Sequence, residues 1–250
     1  MSRALCWGLV AIFGVPGVGA QEEKGTVLTL RPAGEPVPAL KYRLVAEERS
    51  RVPGNAALLY YRAMQMVMQE RAQRMVPQTG QDAPNEENPE MRIAEWVSGP
   101  LEKVPVEEAR TQVEAFRKVL HEVELGAKRR DCDWDFDLRE EGVELVMPQI
   151  QEMRGLARLV ALRVRLAVPE GKTDEAVHWL QVGYSLARHV GESKTLIQTL
   201  VGIAIAGQMN QMFEDLIQAP GMPSLYWALA GRPEPFISVG PAVEAEGSVL

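Results

Sequence analysis

Apolar residues recur at three- and four-residue steps through much of this chain, the spacing of helices that bury one face. The clearest run follows Pro105 and consists of Val106, Ala109, Val113, Phe116, Leu120 and Val123. Acidic Glu107 and Glu108 begin the run and basic residues 128–130 end it, which is the order that a helix dipole favours. The pattern predicts one amphipathic helix from Pro105 to about residue 130.

Other segments without helix breakers predict further helices. Asn55 is the expected N-cap of the first of them. The segment 148–168 carries two apolar rows, so we expect neighbours to contact it on two sides. In the segment 193–218, the small residues between Leu196 and Gly207 indicate a central helix that its neighbours pack closely. The predicted helices cover residues 56–75, 148–168, 173–190 and 193–218, with short ones at 91–96 and 224–230.

The two ends of the chain lack this periodicity. Residues 26–30 alternate as a strand and residues 40–45 offer a second one, so a small β-hairpin is predicted in an N-terminal arm, 21–50. Residues 231–250 contain three prolines and no helical period, which predicts an irregular tail. The expected fold is therefore all-α (mostly), with a helical domain at 51–230. Because a helical array normally needs a polar capping element, we expect either a truncated relative of longer proteins or a fold completed by a partner.

The first twenty residues have the composition of a secretory signal peptide. Arg3 precedes an apolar run, small residues occupy positions 18–20, and the chain turns polar at Gln21. A buried helix or a membrane anchor is the alternative, but the run is short for a span and Gly14 and Pro16 interrupt it. We therefore expect removal of residues 1–20, export to the periplasm or beyond, and no membrane span in the mature chain.

Charge and cysteine content argue against one class of ligand and against an internal disulfide. The net charge is −7, from 27 basic and 34 acidic residues, and loss of Arg3 would make it −8. This acidic balance argues against nucleic acid as the main ligand, since phosphate binding depends on Lys and Arg. If Cys6 is removed with the signal peptide, Cys132 alone remains and no internal disulfide can form.

The stretch from Leu156 to Glu192 resembles one tetratricopeptide (TPR) unit, a pair of antiparallel helices with a short turn. The matching residues are Gly171 at the turn, Asp174-Glu175-Ala176 opening the second helix, Leu180 and Gly183. The first helix departs from the pattern, Thr173 replaces the usual aromatic residue, and no proline closes the unit. A generic helical hairpin is the alternative. The resemblance implies an α-solenoid fragment that binds peptides or proteins, and the whole chain is similar to bacterial exported proteins of unknown function.

Candidate partner-binding residues follow from this resemblance. They are the basic stripe Arg154, Arg158 and Arg165, with Arg163 nearby, and Tyr184 on the following helix. The stripe could receive an acidic peptide, or it could pair with the chain's own excess carboxylates.

The remaining polar clusters each have a simpler explanation. Asp131 to Asp137 alternates carboxylates that could bind Ca²⁺, but Phe136 and Gly142 exclude an EF-hand, and a loop anchored by Trp134 and Phe136 explains the pattern as well. Cys132 could be a nucleophile with a His base, yet a lone Cys is usually a small buried residue. Two histidines and four methionines could bind Zn²⁺ or Cu(I), but a zinc site needs three or four ligands and the methionines fit helix packing better: His178 (four residues after Asp174), His189, Met64, Met66, Met68 and Met75.

We therefore assign no catalytic residue, cofactor or metal. His189 is explained by the dipole at a helix C-terminus. The predicted function is a non-catalytic helical module that binds a protein or peptide outside the cytoplasm, in a groove with Arg and Tyr exposed. The alternative is an exported, hydrolase-like enzyme whose site is assembled from scattered residues.

Overall fold

Helices dominate the chain in a computed structural model that describes residues 38, 41–75, 89–134, 146–193 and 195–247. This confirms the prediction of a mostly all-α fold. Two short 3₁₀ turns lie at Glu48–Ser50 and Leu101–Lys103. The helices are α1 (Ala57–Met75), α2 (Pro89–Ser98), α3 (Val106–Ala115), α4 (Arg117–Ala127), α5 (Val146–Ala167), α6 (Thr173–Gly191), α7 (Leu196–Gln218), α8 (Tyr226–Ala230) and α9 (Gly240–Gly247).

The described strands form a parallel pair, β1 (Val52–Asn55) and β2 (Arg129–Asp131). The N–H of Val52 donates to the carbonyl of Lys128 at 2.8 Å. The pair therefore joins the start of α1 to the end of α4. The predicted hairpin is not seen in this form: residues 41–45 are not a strand, and residues 26–30 lie outside the described part of the chain.

The first long helix begins as its sequence predicts. The side-chain oxygen of Asn55 accepts the N–H of Ala57 at 3.0 Å, so Asn55 caps α1. The single helix expected after Pro105 is instead two helices, because the chain turns at Phe116 (φ −95°, ψ 17°). Phe116 is buried, and apolar periodicity does not reveal such a turn because both helices bury the same kind of face.

Helices α5, α6 and α7 form the centre of the fold. Gly171 lies in the turn between α5 and α6 with φ +66°, a left-handed conformation that suits glycine. Helix α5 contacts α2, α6 and α7, which agrees with its two apolar rows. Gly202 brings the backbone of α7 against α6, where an added Cβ would lie 2.4 Å from the Cα of Gly191. Small residues thus set the closest approach in this layer.

The end of the chain is more ordered than its prolines suggested. The predicted irregular tail, 231–250, contains helix α9, which packs against α7. Ala242 is buried, and the Glu246 carboxylate accepts the N–H of Leu196 at 2.8 Å. One apolar core extends from Leu44 to Ile237. The core therefore crosses both boundaries proposed for the helical domain.

Across the described ranges, each helix is too short or too polar to cross a lipid bilayer.

Candidate functional site

Two of the four predicted partner-binding residues are buried. The side chain of Arg165 is 1% exposed and pairs with the Asp215 carboxylate at 3.0 Å. Its guanidinium also donates to the carbonyls of Val97, at 3.1 Å, and Trp96. The expectation that Arg165 belongs to an exposed binding surface is wrong, because this arginine joins α2, α5 and α7 inside the fold.

Tyr184 is also part of the core rather than of an exposed groove. Its hydroxyl donates to the side-chain oxygen of Asn210 at 2.8 Å, and the rings of Tyr184 and Phe236 meet edge to face. The Arg232 guanidinium lies over the Tyr184 ring. Burial raises the pKa of Tyr184 to about 12, so the phenol stays neutral.

The other two predicted residues remain on the surface. Arg154 is exposed and Arg158 is half-buried, one turn apart on the same side of α5. Neither forms an ion pair with a carboxylate among the residues that the structure describes. Arg163, by contrast, pairs with Glu175 at 2.6 Å. Among the described residues, the basic stripe therefore splits into arginines that pair with a carboxylate, Arg163 and Arg165, and arginines that do not, Arg154 and Arg158.

Arg158 borders an open cleft formed mainly by α1, α2 and α5, with about 370 Å³ of space that includes open solvent. The Cα of Gly155 faces open space, since an added Cβ would meet nothing within 4 Å. The apolar lining consists of Val67, Ile93, Phe116, Leu156 and Leu159.

The polar lining of the cleft contains an ion cluster centred on Arg71. Its guanidinium donates to the carboxylate of Glu152 at 2.5 Å and to that of Glu90. Burial acts to lower the pKa of Arg71, but hydrogen bonds and charges from the two carboxylates outweigh it and raise the pKa. Both glutamates of the cleft lining thus bind Arg71, and within the described ranges Arg158 is a cation that pairs with neither of them and lies beside apolar side chains.

A second polar group lies in the core, near the start of α1. The hydroxyl of Tyr60 and Nδ1 of His189 are 2.8 Å apart, and the indole N–H of Trp134 donates to the His189 carbonyl at 2.8 Å. Burial, together with the nearby cations Arg51 and Arg188, lowers the pKa of His189 to about 4. His189 is therefore neutral, which corrects its interpretation as a cation at a helix C-terminus.

Cys132 lacks the features of a nucleophile. Burial raises the pKa of its thiol far above the usual range, and the charge of Asp133 adds to the effect. A protonated thiol is a poor nucleophile. The loop around it is anchored by Trp134, which is buried and stacks on Tyr60 with ring centroids 5.6 Å apart.

The remaining candidate metal ligands do not lie together. Nε2 of His178 is 3.3 Å from the carboxylate of Glu124. The carboxylate of Asp174 instead accepts hydrogen bonds from Lys41 and Tyr42. Residues 135–137 of the acidic loop are outside the described ranges. Within those ranges, no three His, Cys, Asp or Glu side chains are grouped as a metal site would require. Met64 is buried and Met66 packs against the core, whereas Met68 is exposed, so these methionines are divided between core and surface.

Sequence reasoning identified Arg158 but missed the cleft beside it. Arg71, Glu90 and Glu152 lie on three different helices, and nothing in their spacing indicates that they meet. One feature of the sequence could have indicated the cleft. Gly155 lies between the apolar and basic residues of α5 without ending the helix. Comparisons with known proteins found no matching protein family, no matching curated protein and no matching solved structure.

Proposed function

We propose that this chain is a non-catalytic helical module that binds an acidic peptide or protein segment. In this proposal an apolar side chain of the segment enters the cleft between α1, α2 and α5. A neighbouring carboxylate of the segment pairs with Arg158, and a second one with Arg154. The likeness of α5 and α6 to a TPR hairpin supports a binding role only by resemblance, because a fold does not fix a function.

The observation that carries the proposal is the position of Arg158. A cation without a carboxylate partner in the described chain borders an apolar floor that includes Val67, Ile93 and Leu159. An apolar side chain gains free energy by leaving water there, and Arg158 supplies a charge-assisted hydrogen bond that fixes orientation. The same chain carries an excess of acidic residues, yet none of those in the described ranges pairs with this arginine.

A library of dye-labelled peptides, read by fluorescence polarisation, tests the proposal. Peptides that combine Leu or Phe with Asp or Glu should bind, and versions with Lys in place of the acidic residues should not. Arg158→Glu should weaken binding at least about tenfold, since it replaces attraction by repulsion. Lys103→Glu, at an exposed position that like Arg158 has no carboxylate partner among the described residues, is the matched charge control and should bind normally.

A second variant tests the cleft itself. Gly155→Leu should fill the open space and abolish binding without unfolding the protein, because nothing lies within 4 Å of the new Cβ. Gly155→Ala adds a single methyl group and should retain most of the affinity. Equal binding by wild type and by both Arg158→Glu and Gly155→Leu would refute the site.

The proposal also places the module outside the cytoplasm, after removal of residues 1–20. The support is the apolar run and the small residues at positions 18–20. N-terminal sequencing of the protein from the exported fraction should begin at Gln21. An intact Met1 in that fraction would contradict cleavage.

An exported hydrolase is the alternative function, supported only by the presence of titratable residues. A hydrolase would show turnover of ester, peptide or glycoside substrates by the purified chain. Reproducible turnover that Asp133→Ala or His178→Ala abolishes, together with no binding of any labelled peptide, would favour the enzyme over the binding module.

A further inference from the structure

Arg71 connects three walls of the cleft through its two carboxylate partners. It lies near the end of α1, and its guanidinium donates to Glu90 in the first turn of α2 and to Glu152 on α5. All three residues line the cleft. The ion pair between Arg71 and Glu90 therefore spans the cleft between α1 and α2.

The two glutamates differ in their exposure to water. The side chain of Glu152 is 11% exposed, whereas those of Glu90 and Arg71 are 38% and 34% exposed. An exposed ion pair contributes little to stability, because water solvates the separated charges, whereas a carboxylate left unpaired in a buried site is costly. Glu90 is therefore the partner that Arg71 can exchange, and Glu152 is the one that it keeps.

The position of Glu90 lowers the cost of its release. It lies in the first turn of α2, where the helix dipole favours a negative charge. The other end of α2 is anchored independently, because the buried Arg165 donates to the carbonyls of Trp96 and Val97. Release of Glu90 thus leaves a solvated carboxylate on a helix that stays in place.

We propose that Glu90 is a built-in competitor of the ligand, and that a carboxylate of the bound acidic segment replaces it at Arg71. This inference rests on the function proposed above and describes the regulation of the same site. After the exchange the segment has a cation at each end of the apolar lining. Arg158 and the Glu152 partner of Arg71 are separated by about 9 Å along the axis of α5.

The competition makes the site selective for ligands that are both acidic and apolar. One charge-assisted hydrogen bond replaces another when the ligand displaces Glu90, so the exchange alone gains little free energy. The fold also holds Glu90 beside Arg71 at a high effective concentration, which a free carboxylate in solution does not match. Burial of an apolar side chain in the cleft supplies the free energy that drives the exchange.

Fluorescence polarisation with the labelled peptides that combine Leu or Phe with Asp or Glu tests the competition. Glu90→Gln should bind these peptides at least about fivefold more tightly than the wild type, because glutamine forms no ion pair with Arg71. Glu122→Gln is the matched control and should bind as the wild type does. Glu122 likewise pairs with an arginine of α1, Arg62 at 3.1 Å, but it does not line the cleft.

Removal of Arg71 separates competition from a general effect of charge. In the Arg71→Gln background, the gain from Glu90→Gln should fall below about twofold, since no guanidinium remains to compete for. A general electrostatic effect of Glu90 would persist without Arg71. Circular dichroism establishes that each variant keeps its helices.

The outcomes distinguish this inference from the proposed function. Peptides that bind through Arg158 and Gly155, but with equal affinity for wild type and Glu90→Gln, would overturn the competition and leave the binding function intact. A gain that persists in the Arg71→Gln background would also overturn the competition. Absence of binding by both the wild type and Glu90→Gln would overturn both proposals. Binding by Glu90→Gln alone would support both, since the wild type would then be blocked by its own glutamate.

Discussion

His189 shows how burial selects the ionisation state of a single side chain. The residue is 5% exposed and its ring shares a hydrogen bond with Tyr60, and the charged groups that shift its pKa are the cations Arg51 and Arg188. Transfer of a charge to such a site costs more free energy than transfer of the neutral ring. The imidazole therefore acts as a neutral hydrogen-bonding group in the core.

This state predicts a pH dependence of stability. The pKa of His189 is lowered from 6.5 to about 4 in the folded chain. Between these values the unfolded chain binds a proton that the folded chain does not, so the free energy of unfolding falls as the pH falls. The contribution is fully present above pH 6.5 and is lost by about pH 4, to an extent on the order of 3 kcal/mol.

Urea denaturation between about pH 7 and about pH 4 measures this effect. His189→Gln should flatten the dependence, because glutamine does not titrate, whereas His121→Gln changes an exposed histidine and should leave it unaltered. The same slope in wild type and His189→Gln would mean that other groups cause the loss of stability.

Arg165 gives the second prediction at the residue scale. Arg165→Met should destabilise the fold by about 3–5 kcal/mol, because it leaves Asp215 and two backbone carbonyls without their buried donor. Arg154→Met, on the exposed side of the same helix, should change stability by less than about 0.5 kcal/mol. Thermal denaturation measures the loss of stability in each variant. Similar losses in Arg165→Met and Arg154→Met would contradict the structural role of Arg165.

At the scale of elements, glycines of the same helix have opposite roles. Gly202 lies against backbone atoms of Ala187 and Gly191, and helical backbones at that distance have no space for a side chain. Gly207 lies on the exposed side of α7, where an added Cβ would meet nothing within 4 Å. Its backbone is helical, so no feature of this position demands glycine. The helix therefore needs glycine at one of these positions and only tolerates it at the other.

Alanine substitutions should separate these roles. Gly202→Ala should destabilise the protein by about 1–3 kcal/mol, since α6 and α7 must move apart. Gly207→Ala should stabilise it by up to about 1 kcal/mol, because alanine favours the helix and meets no neighbour. Chemical denaturation measures both changes in the free energy of unfolding. A stabilising Gly202→Ala would show that the helices are not in close contact.

At the scale of the whole molecule, a single core links elements that are distant in sequence. It extends from Leu44, before α1, to Ile237, after α8, and β1 with β2 joins the start of α1 to the end of α4. Each described helix from α1 to α7 contacts at least one other helix. Such connections make separate unfolding of the N- and C-terminal halves unfavourable.

We therefore expect one cooperative unfolding transition. The loss of helix, followed by circular dichroism, should coincide with the change in fluorescence of Trp134 and the other tryptophans. Gly202→Ala should shift both signals together. Two separated transitions, with fluorescence preceding loss of helix, would show that the halves are independent units.

The sequence by itself determined the elements. Apolar periodicity located most of the long helices, Asn55 and Gly171 marked a helix start and a turn, and two apolar rows on α5 indicated burial on two sides. These features depend on local backbone conformation and on which face of a helix avoids water. Both are encoded in residues close together along the chain.

Only the tertiary structure decided how the polar residues are used. Arg154, Arg158 and Arg165 form one stripe in the sequence, yet Arg165 is buried by α2 and α7 while Arg158 borders a cleft. Tyr184 and His189 likewise depend on Asn210 and Tyr60, which other helices supply. Burial and pairing are set by contacts between distant segments, and helix periodicity carries no information about which faces will meet.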